Sequence, residues 1–492
     1  MLNIIIIYLI KALSMNKKLT LIILFLIWCV NAIAQDTHYW SDDYSTAGFI
    51  VPGAVIANNR DSSVLFYNPA LLAFSKKNSA SFSGNLYQLQ NIYIKNGVGE
   101  GKNLSSTNPA IIPQIISGVI HIKGDKPFTI GYALTHNDVL NYNVSQQKDG
   151  SFNVLSDSYS PGPEYFLGQY QMQNRISETS GIFSAGFKLA DNLALGLSTQ
   201  ATIHNQFYDD EYSARAFIND GSDNPFPPYT NTQESYLAKY TNIGVRFKAG
   251  LSYDLDKSHL GVLITSPQIH LYGQGSILSD YVITDLHLDG NGPTTNLLAN
   301  SRQTGLKAMW KTPFSAALGY AYDINGGQLY FAGEYFTGIS EYANLNPTDE
   351  YFVKPVGSTL FSSNLLELKD ARKSVIDFGF GYSFLLAESI TGYVSVRLDQ
   401  SYADQALYKN DLGYEYNTTT WNNYDWGFGA NFKRRKFNLR AGLLFTYGQT
   451  NKYLQPYNFD NANEGNVLAG DPQNTLARTL GVKLMMAYIY NF

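Results

Sequence analysis

Several long stretches of the chain alternate between apolar residues and glycine or polar residues. From Ile243 to Tyr253 every odd position is apolar, and the even positions hold glycine, serine, arginine and lysine. Segments 373–386 and 436–450 repeat the pattern, with phenylalanine and tyrosine at many of the apolar positions. Because successive side chains of a strand point to opposite faces, each segment is predicted to be a strand with one apolar face.

The length and aromatic content of these segments favour a membrane barrel over a soluble sandwich. The segments run to roughly 13–17 residues, whereas strands of soluble proteins average about 5–6. Their apolar faces carry the aromatic residues that transmembrane barrels place at both membrane interfaces. The predicted fold class is therefore all-β, an antiparallel transmembrane β-barrel.

The number of such segments after residue 78 is even, as in bacterial single-chain barrels. We predict fourteen strands, at 79–95, 111–123, 127–141, 176–190, 193–208, 241–255, 259–275, 304–323, 327–342, 373–386, 389–405, 421–433, 436–450 and 478–492. Pro313 interrupts the eighth segment, where it predicts a bulge or an edge because proline removes a ladder hydrogen bond. The barrel is expected to occupy 79–492.

The connections between the predicted strands alternate in length. Tight turns follow the even-numbered strands, and longer loops follow the odd-numbered ones. The longer loops include 142–175, 209–240, 276–303, 343–372 and 451–477. Since outer-membrane barrels put short turns in the periplasm and long loops outside, both termini are expected on the periplasmic side of the outer membrane.

The composition excludes two other classes of protein. Asp, Glu, Lys and Arg make up 15 % of the 492 residues, against roughly 25 % in soluble domains. No apolar run after residue 34 approaches the ~20 residues that a membrane helix needs, so a helical membrane protein is excluded. Beyond residue 34 acidic side chains outnumber basic ones, which argues against nucleic-acid binding.

The first residues have the pattern of a secretory signal peptide. Lys17 and Lys18 precede a mainly apolar run, which ends in a small-x-small site at 32–34. The prediction is a leader at 1–34, with Met15 as the more natural start; an uncleaved anchor is the alternative.

The leader also contains Cys29, the only cysteine of the chain. A lipoprotein would use it as its lipidated first residue, but the neighbouring Trp28 is bulkier than such processing normally accepts. Cleavage after Ala34 would leave no cysteine for a disulfide, a thiolate nucleophile or a metal site.

Residues 35–78 lack the alternation and are rich in small and turn-forming residues. The segment is too small to fold alone. A fourteen-stranded barrel is wider than the eight-stranded size that side chains alone can fill. Residues 35–78 are therefore predicted to form a hatch inside the barrel.

The hatch ends in Asn68-Pro69-Ala70-Leu71, directly before the first predicted strand. In this the sequence resembles the FadL/TodX family, outer-membrane transporters of long-chain fatty acids and other hydrophobic compounds. Further similar elements follow in order at 112–113, 249–253, 311–313 and 438–442. The tripeptide alone is a weak signal, since it recurs at 108–110.

The resemblance implies a function and a route. A hydrophobic ligand is captured by extracellular loops, moves to a lumenal pocket and leaves sideways beside a kinked third strand. The kink would map to Thr135, His136, Asn137 and Asp138; the alternative is that the third strand simply ends there. The expected partners are this ligand, outer-membrane lipid and the barrel-assembly machinery, which would recognise the last strand ending at Phe492. A monomer is expected.

The alternation also predicts which charged residues face the lumen. The bases are Lys188, Arg246, Lys248, Arg397 and Arg440, and the acids are Glu334, Asp377, Asp399 and Asp425. Arg246, Lys248, Arg397 and Arg440 are candidate partners for a fatty-acid carboxylate, through charge-assisted hydrogen bonds. The alternative is that the lumenal charges pair with one another or anchor the hatch.

The chain lacks the local motifs of common enzymes: it has no His-Glu-x-x-His, Gly-x-Ser-x-Gly or phosphate-binding loop. The sequence therefore predicts no enzyme, no cofactor and no metal, although spacing alone does not exclude a barrel hydrolase. The leading hypothesis is passive uptake of hydrophobic molecules. The alternatives are a plugged adhesin that binds through 209–240, and a general porin, against which the hatch argues.

Overall fold

The computed structural model describes 38–40, 56–57, 64–75, 77–221, 225–288, 293–354, 361–402, 404–409, 412–415 and 418–492. The predicted leader, with Cys29, and much of the predicted hatch lie outside these residues. Among the described residues, no helix is long and apolar enough to span a bilayer.

The described chain is mainly β-strand. The strands are β1 (Ser79–Ile94), β2 (Leu104–Ile122), β3 (Phe128–Phe152), β4 (Glu164–Ala190), β5 (Leu193–Phe217), β6 (Tyr229–Leu255), β7 (Ser258–Thr265), β8 (Ile269–Leu286), β9 (Thr295–Lys307), β10 (Ser315–Ile324), β11 (Gly327–Phe336), β12 (Ile339–Leu345), β13 (Val353–Lys354), β14 (Leu368–Arg372), β15 (Val375–Ala387), β16 (Ile390–Asp399), β17 (Tyr414–Glu415), β18 (Asn423–Lys433), β19 (Phe437–Leu454) and β20 (Asn474–Asn491). The helices are α1 (Val64–Tyr67), α2 (Ser362–Leu365) and the 3-10 turns Pro69–Phe74, Gln405–Leu407, Phe459–Asn461 and Glu464–Asn466.

Fourteen of these strands close an antiparallel ring. The ring runs through β1 to β7, continues through β10, β11, β15, β16, β18 and β19, and closes where β20 pairs with β1. Strands β8, β9 and β13 continue the wall beyond β7 and β10, and β12, β14 and β17 form a separate three-stranded sheet. The predicted fourteen-stranded barrel is confirmed.

One part of the wall exposes apolar side chains on its outer face. On β6, Phe247 is 48 % and Leu251 39 % exposed, whereas Lys248 between them is buried in the lumen. On β4 and β5, Phe183 and Leu197 are likewise exposed. A band of outward apolar residues backed by an inward polar face is the lipid-facing surface of a transmembrane barrel.

Beyond this apolar band the alternation is inverted. In the outer half of β6, Tyr236 and Tyr240 are buried inside, while Lys239 is exposed outside. On β5, Tyr208 and Tyr212 are buried in the same way. Here the wall leaves the membrane, so water replaces lipid outside and aromatic side chains fill the inside.

This inversion explains why three predicted loops were wrong. Segments 142–175, 209–240 and 276–303 are largely strand, with true connections only at 153–163, 218–228 and 287–294. The prediction followed apolar residues on the outer face, and that signal ends where the outer face becomes polar. The surface suggested for an adhesin therefore shrinks to the short connection 218–228.

Other predicted boundaries need correction around the eighth to eleventh strands. The predicted eighth strand is broken between β9 and β10, at 308–314, which contains Pro313. The predicted ninth strand leaves the ring after Phe336, and the eleventh ends at Asp399. The predicted loop 343–372 contains the end of β12, β13, α2 and β14.

Candidate functional site: a lumenal cavity between hatch and wall

Asn68 fixes the end of the hatch by hydrogen bonds in three directions. Its side-chain oxygen accepts from the Ala70 backbone N–H at 3.1 Å, which caps the 3-10 turn that begins at Pro69. Its amide nitrogen donates to the carbonyl oxygens of Ile56 (2.8 Å) and Leu251 (3.3 Å). The tripeptide thus joins two parts of the hatch to β6.

A row of three glycines in the barrel wall contacts this turn. Gly186, Gly196 and Gly250 are cross-strand neighbours on β4, β5 and β6. A Cβ atom on Gly196 would lie 2.1 Å from the Ala70 nitrogen, and one on Gly250 would lie 2.1 Å from the Asn68 side-chain oxygen. Because such distances are far below van der Waals contact, only glycine lets the hatch backbone approach this closely.

Above the hatch lies a lumenal cavity of about 150 Å³. The hatch contributes Ile56 and Phe66, and the wall contributes both aromatic and charged side chains, among them Trp310, Arg246 and Glu178. The cavity therefore combines apolar surface with a few charged groups, which is the usual composition of a site for an amphipathic small molecule.

Three of the four candidate carboxylate-binding cations line the cavity, and each has different partners. Arg246 Nε donates to the amide oxygen of Gln200 at 3.0 Å. Lys248 Nζ donates to the Phe66 carbonyl at 2.8 Å and lies 3.9 Å from the centroid of that ring. Arg397 Nε donates to Asp425 at 2.6 Å.

The fourth cation, Arg440, is also buried but does not line the cavity. Lys188, also predicted to face inward, lies 5.7 Å from the Phe74 ring of the hatch. Among the described residues, Arg246 has no carboxylate within ion-pair distance. Arg246 is thus the cavity cation best placed to receive a carboxylate from a ligand.

The acidic side of the lumen holds the segment at 38–40. The Trp40 indole donates to Glu334 at 2.8 Å and its backbone N–H to Asp399 at 3.4 Å. The Tyr39 ring stacks on Phe336 and Tyr402, with centroids 4.2 and 4.4 Å apart. Asp377 lies beside these groups and accepts from the Gln400 backbone at 2.6 Å. Glu334 and Asp399 thus bind the segment at 38–40, whereas Asp377 bonds to the wall.

The predicted kink residues lie where the third strand parts from the second. The β2–β3 ladder stops at the pair Ile115–Thr135, although both strands continue well beyond it. On the other side β3 stays paired with β4, with a bulge between Asp138 and Leu140. His136 accompanies Asp138 on the outer face at 3.5 Å, whereas Asn137 is buried.

Side chains close the resulting gap between β2 and β3. The Asn143 backbone donates to Ser106 Oγ at 3.0 Å, Gln146 donates to the Asn103 carbonyl at 3.0 Å, and Asn108 donates to the Asn141 carbonyl. Val139 and Leu140 at the bulge line the lumenal cavity. The cavity and this weakly bonded seam are therefore in contact.

A cap of tyrosines closes the lumen beyond the apolar band. Tyr236 stacks on Tyr414 with centroids 3.6 Å apart, and Tyr212 stacks on Tyr457 at 4.4 Å. Asp210 lies within this cap, with Oδ1 fully buried. Burial and then the nearby Glu234 raise the pKa of Asp210 to about 7.

The raised pKa of Asp210 predicts that the stability of the tyrosine cap depends on pH. The pKa of Asp210 in the folded state exceeds the ~3.9 of an unfolded chain. Asp210 therefore contributes fully to the stability of the folded cap below about pH 4, and this contribution is lost as the pH rises towards 7. We expect hydrogen exchange at 455–473, corrected for its intrinsic pH dependence, to be faster at pH 8 than at pH 5. Asp210→Asn should reduce the difference, with the remainder due to Glu234, whose pKa burial also raises, and Glu211→Gln on the outer face should leave it unchanged. An unchanged pH profile in Asp210→Asn would contradict this assignment.

Searches with the sequence gave no relative: no protein-family model matches the chain, and no curated protein matches it. Solved structures do match its fold. A Pseudomonas aeruginosa FadL homologue has a TM-score of 0.52 at 15 % identity, over 94 % of this chain and 100 % of that one. The Pseudomonas putida toluene transporter TodX has a TM-score of 0.55 at 12 % identity, over 92 % and 99 %. The chain has the FadL-type fold.

The Ralstonia pickettii toluene transporter TbuX is similar at the same level, with a TM-score of 0.52, 12 % identity and coverage of 92 % and 99 %. The resemblance drawn from Asn68-Pro69-Ala70 is thus confirmed for the fold.

The FadL-type barrel of this chain also has cavity residues that the alternation did not indicate. Arg372, which pairs with Asp370 at 2.8 Å, lies on β14 outside the ring, where no alternation could assign it to the lumen.

Proposed function

We propose that the chain is an outer-membrane protein for passive uptake of hydrophobic small molecules, with long-chain fatty acids as the ligand class. The observation that carries the proposal is the position of the cavity, between a seated hatch and an unpaired seam in a lipid-facing wall. A polar-solute porin would need an open lumen, whereas here the cap and the hatch fill it.

The proposed route begins at the tyrosine cap and ends in the membrane. The ligand passes the cap, enters the cavity and leaves between β2 and β3, where side chains rather than a ladder hold the wall together. Both termini are proposed to be periplasmic, which puts the cap outside the cell. A lateral exit suits an apolar ligand because it avoids a water-filled lumen.

Arg246 is proposed to bind the fatty-acid carboxylate. A charge-assisted hydrogen bond contributes about 1.5–3 kcal/mol, so its loss should weaken fatty-acid binding by about 10–100-fold. We expect Arg246→Gln to reduce oleate uptake by proteoliposomes at low concentration and to leave toluene uptake unchanged. Arg246→Lys should retain much of the activity because it keeps the charge.

Lys239→Gln is the matched control, since it makes the same charge change on the outer wall. An equal loss of oleate and toluene uptake in Arg246→Gln would show a structural role. Unchanged uptake of both would remove Arg246 from the proposed site.

A further inference from the structure

The barrel wall has a second interruption, between the seventh and eighth strands. The β7–β10 ladder ends at the pair Thr265–Ser315, and the β8–β9 ladder begins at Gln274–Lys307. Between these pairs, 266–273 faces 308–314 without strand pairing. Pro267 and Pro313 lie on the two sides of this seam, and neither has an N–H to donate.

Few hydrogen bonds bridge the seam. The Ala308 N–H donates to the Gly273 carbonyl at 3.2 Å, at one end. Elsewhere the Gln268 N–H donates to Thr312 Oγ1 at 3.1 Å, and the Gln268 amide donates to the Trp310 carbonyl at 3.4 Å. An intact antiparallel ladder would exchange two backbone bonds at every second residue pair, so this stretch is held mainly by side chains.

The eighth strand turns into the lumen at this point and forms a wall of the cavity. Trp310, Thr312 and Pro313 line the cavity. The Trp310 ring stacks on His204, with centroids 4.1 Å apart and planes 13° from parallel. The Trp310 backbone N–H donates to Asn242 Oδ1 at 3.2 Å. Trp310 therefore belongs both to the seam and to the lining of the cavity.

The outer side of the seam is apolar. Ile269 is 54 %, Leu271 61 % and Met309 38 % exposed. Lys311 turns to the Tyr342 ring, 4.3 Å from its centroid. The exposed Lys307 lies at one end of the seam, in the ladder pair that closes it. Between the two ladders, an uncharged apolar molecule meets Ile269, Leu271 and Met309 on its way to the indole.

We propose that this seam is a second lateral passage, which connects the cavity with the membrane for uncharged apolar molecules of monoaromatic size and has Trp310 as its gate. The proposal rests on the proposed function. Movement of the indole breaks a ring stack and no ladder bond, so the gate opens without disturbing the fourteen-stranded ring. Charged amphiphiles remain with the route beside β3, whose outer edge carries His136 and Asp138.

A reversible disulfide across the seam, called here the Gln268–Thr312 lock, tests the passage. Gln268→Cys with Thr312→Cys places two thiols across the seam, where the backbone nitrogen of Gln268 and Thr312 Oγ1 are 3.1 Å apart. The only native cysteine is Cys29, which Cys29→Ser removes from every variant. In proteoliposomes, toluene uptake is expected to fall by about twofold or more when the pair is oxidised and to recover on reduction. Oleate uptake should stay unchanged.

Ser81→Cys with Ser117→Cys is the matched control, because these hydroxyls lie 2.7 Å apart across the intact β1–β2 ladder. Its oxidation should change neither uptake rate. Trp310→Ala, which removes the gate, should raise the toluene rate. If the Gln268→Cys, Thr312→Cys variant transports toluene equally fast when oxidised and when reduced, the passage alone is overturned. A wild type no faster than empty vesicles for both ligands would overturn the proposed function as well.

Discussion

Replacing Gly196 by leucine is expected to drive the hatch from its seat and convert a closed barrel into an ion-conducting one. A Cβ at this position would lie 2.1 Å from both the Ala70 nitrogen and the Pro69 carbonyl carbon. Backbone cannot yield as a flexible side chain can, so the hatch must move. The ring has its own closed ladder and should still migrate as a folded, heat-resistant barrel. Single-channel conductance in planar bilayers should rise by about tenfold or more, because a fourteen-stranded lumen is wide when its plug is displaced.

The same result should follow from the hatch side. Asn68→Ala combined with Pro69→Gly removes the cap, the two bonds to Ile56 and Leu251 and the fixed φ of proline. It should raise ion leakage and lower fatty-acid uptake. Gly181→Leu is the control, since a Cβ there meets no atom within 4 Å. If both hatch variants conduct and transport as the wild type does, these residues do not hold a plug.

The second large effect is expected at the seam beside the third strand. Asn108→Cys with Asn141→Cys, in a Cys29→Ser background, joins β2 to β3 where only side chains now join them. Oxidation should lower oleate uptake by about tenfold, because gating of this seam would limit release from the cavity. Reduction should restore the rate, and the cap and hatch should be unaffected.

A lock that leaves oleate uptake unchanged would remove the lateral exit from the proposed route. The Ser81–Ser117 cysteine pair again serves as the control for oxidation itself, since it joins β1 to β2 where a ladder already exists. Both locks use one assay and one protein background, so their effects on oleate and toluene can be compared directly.

The ring could be predicted from the sequence because lipid imposes a simple rule on the outer face. Phe247 and Leu251 must be apolar where they meet lipid, and Gly250 must be small where it meets the hatch. This rule gave the strand count and the hatch motif. It fails where the wall leaves the membrane, since Tyr236 and Tyr240 face inward there and reverse the phase of the pattern.

The site was less predictable, since its chemistry depends on contacts between distant segments. Alternation placed Arg246, Lys248 and Arg397 in the lumen, and the structure puts all three at the cavity. Alternation gave no means to tell that Arg397 pairs with Asp425, whereas Arg246 donates to the amide of Gln200. Trp310 belongs to a segment that leaves the wall, so periodicity carried no information on its direction.

The central claim is that this barrel passes hydrophobic molecules while it remains closed to ions. The most direct test measures both properties on one preparation of the wild-type protein: oleate uptake in proteoliposomes and ion conductance in planar bilayers. We expect uptake well above that of protein-free vesicles, with conductance close to that of the bare bilayer. Steady conductance without oleate or toluene uptake would contradict the claim and identify a porin.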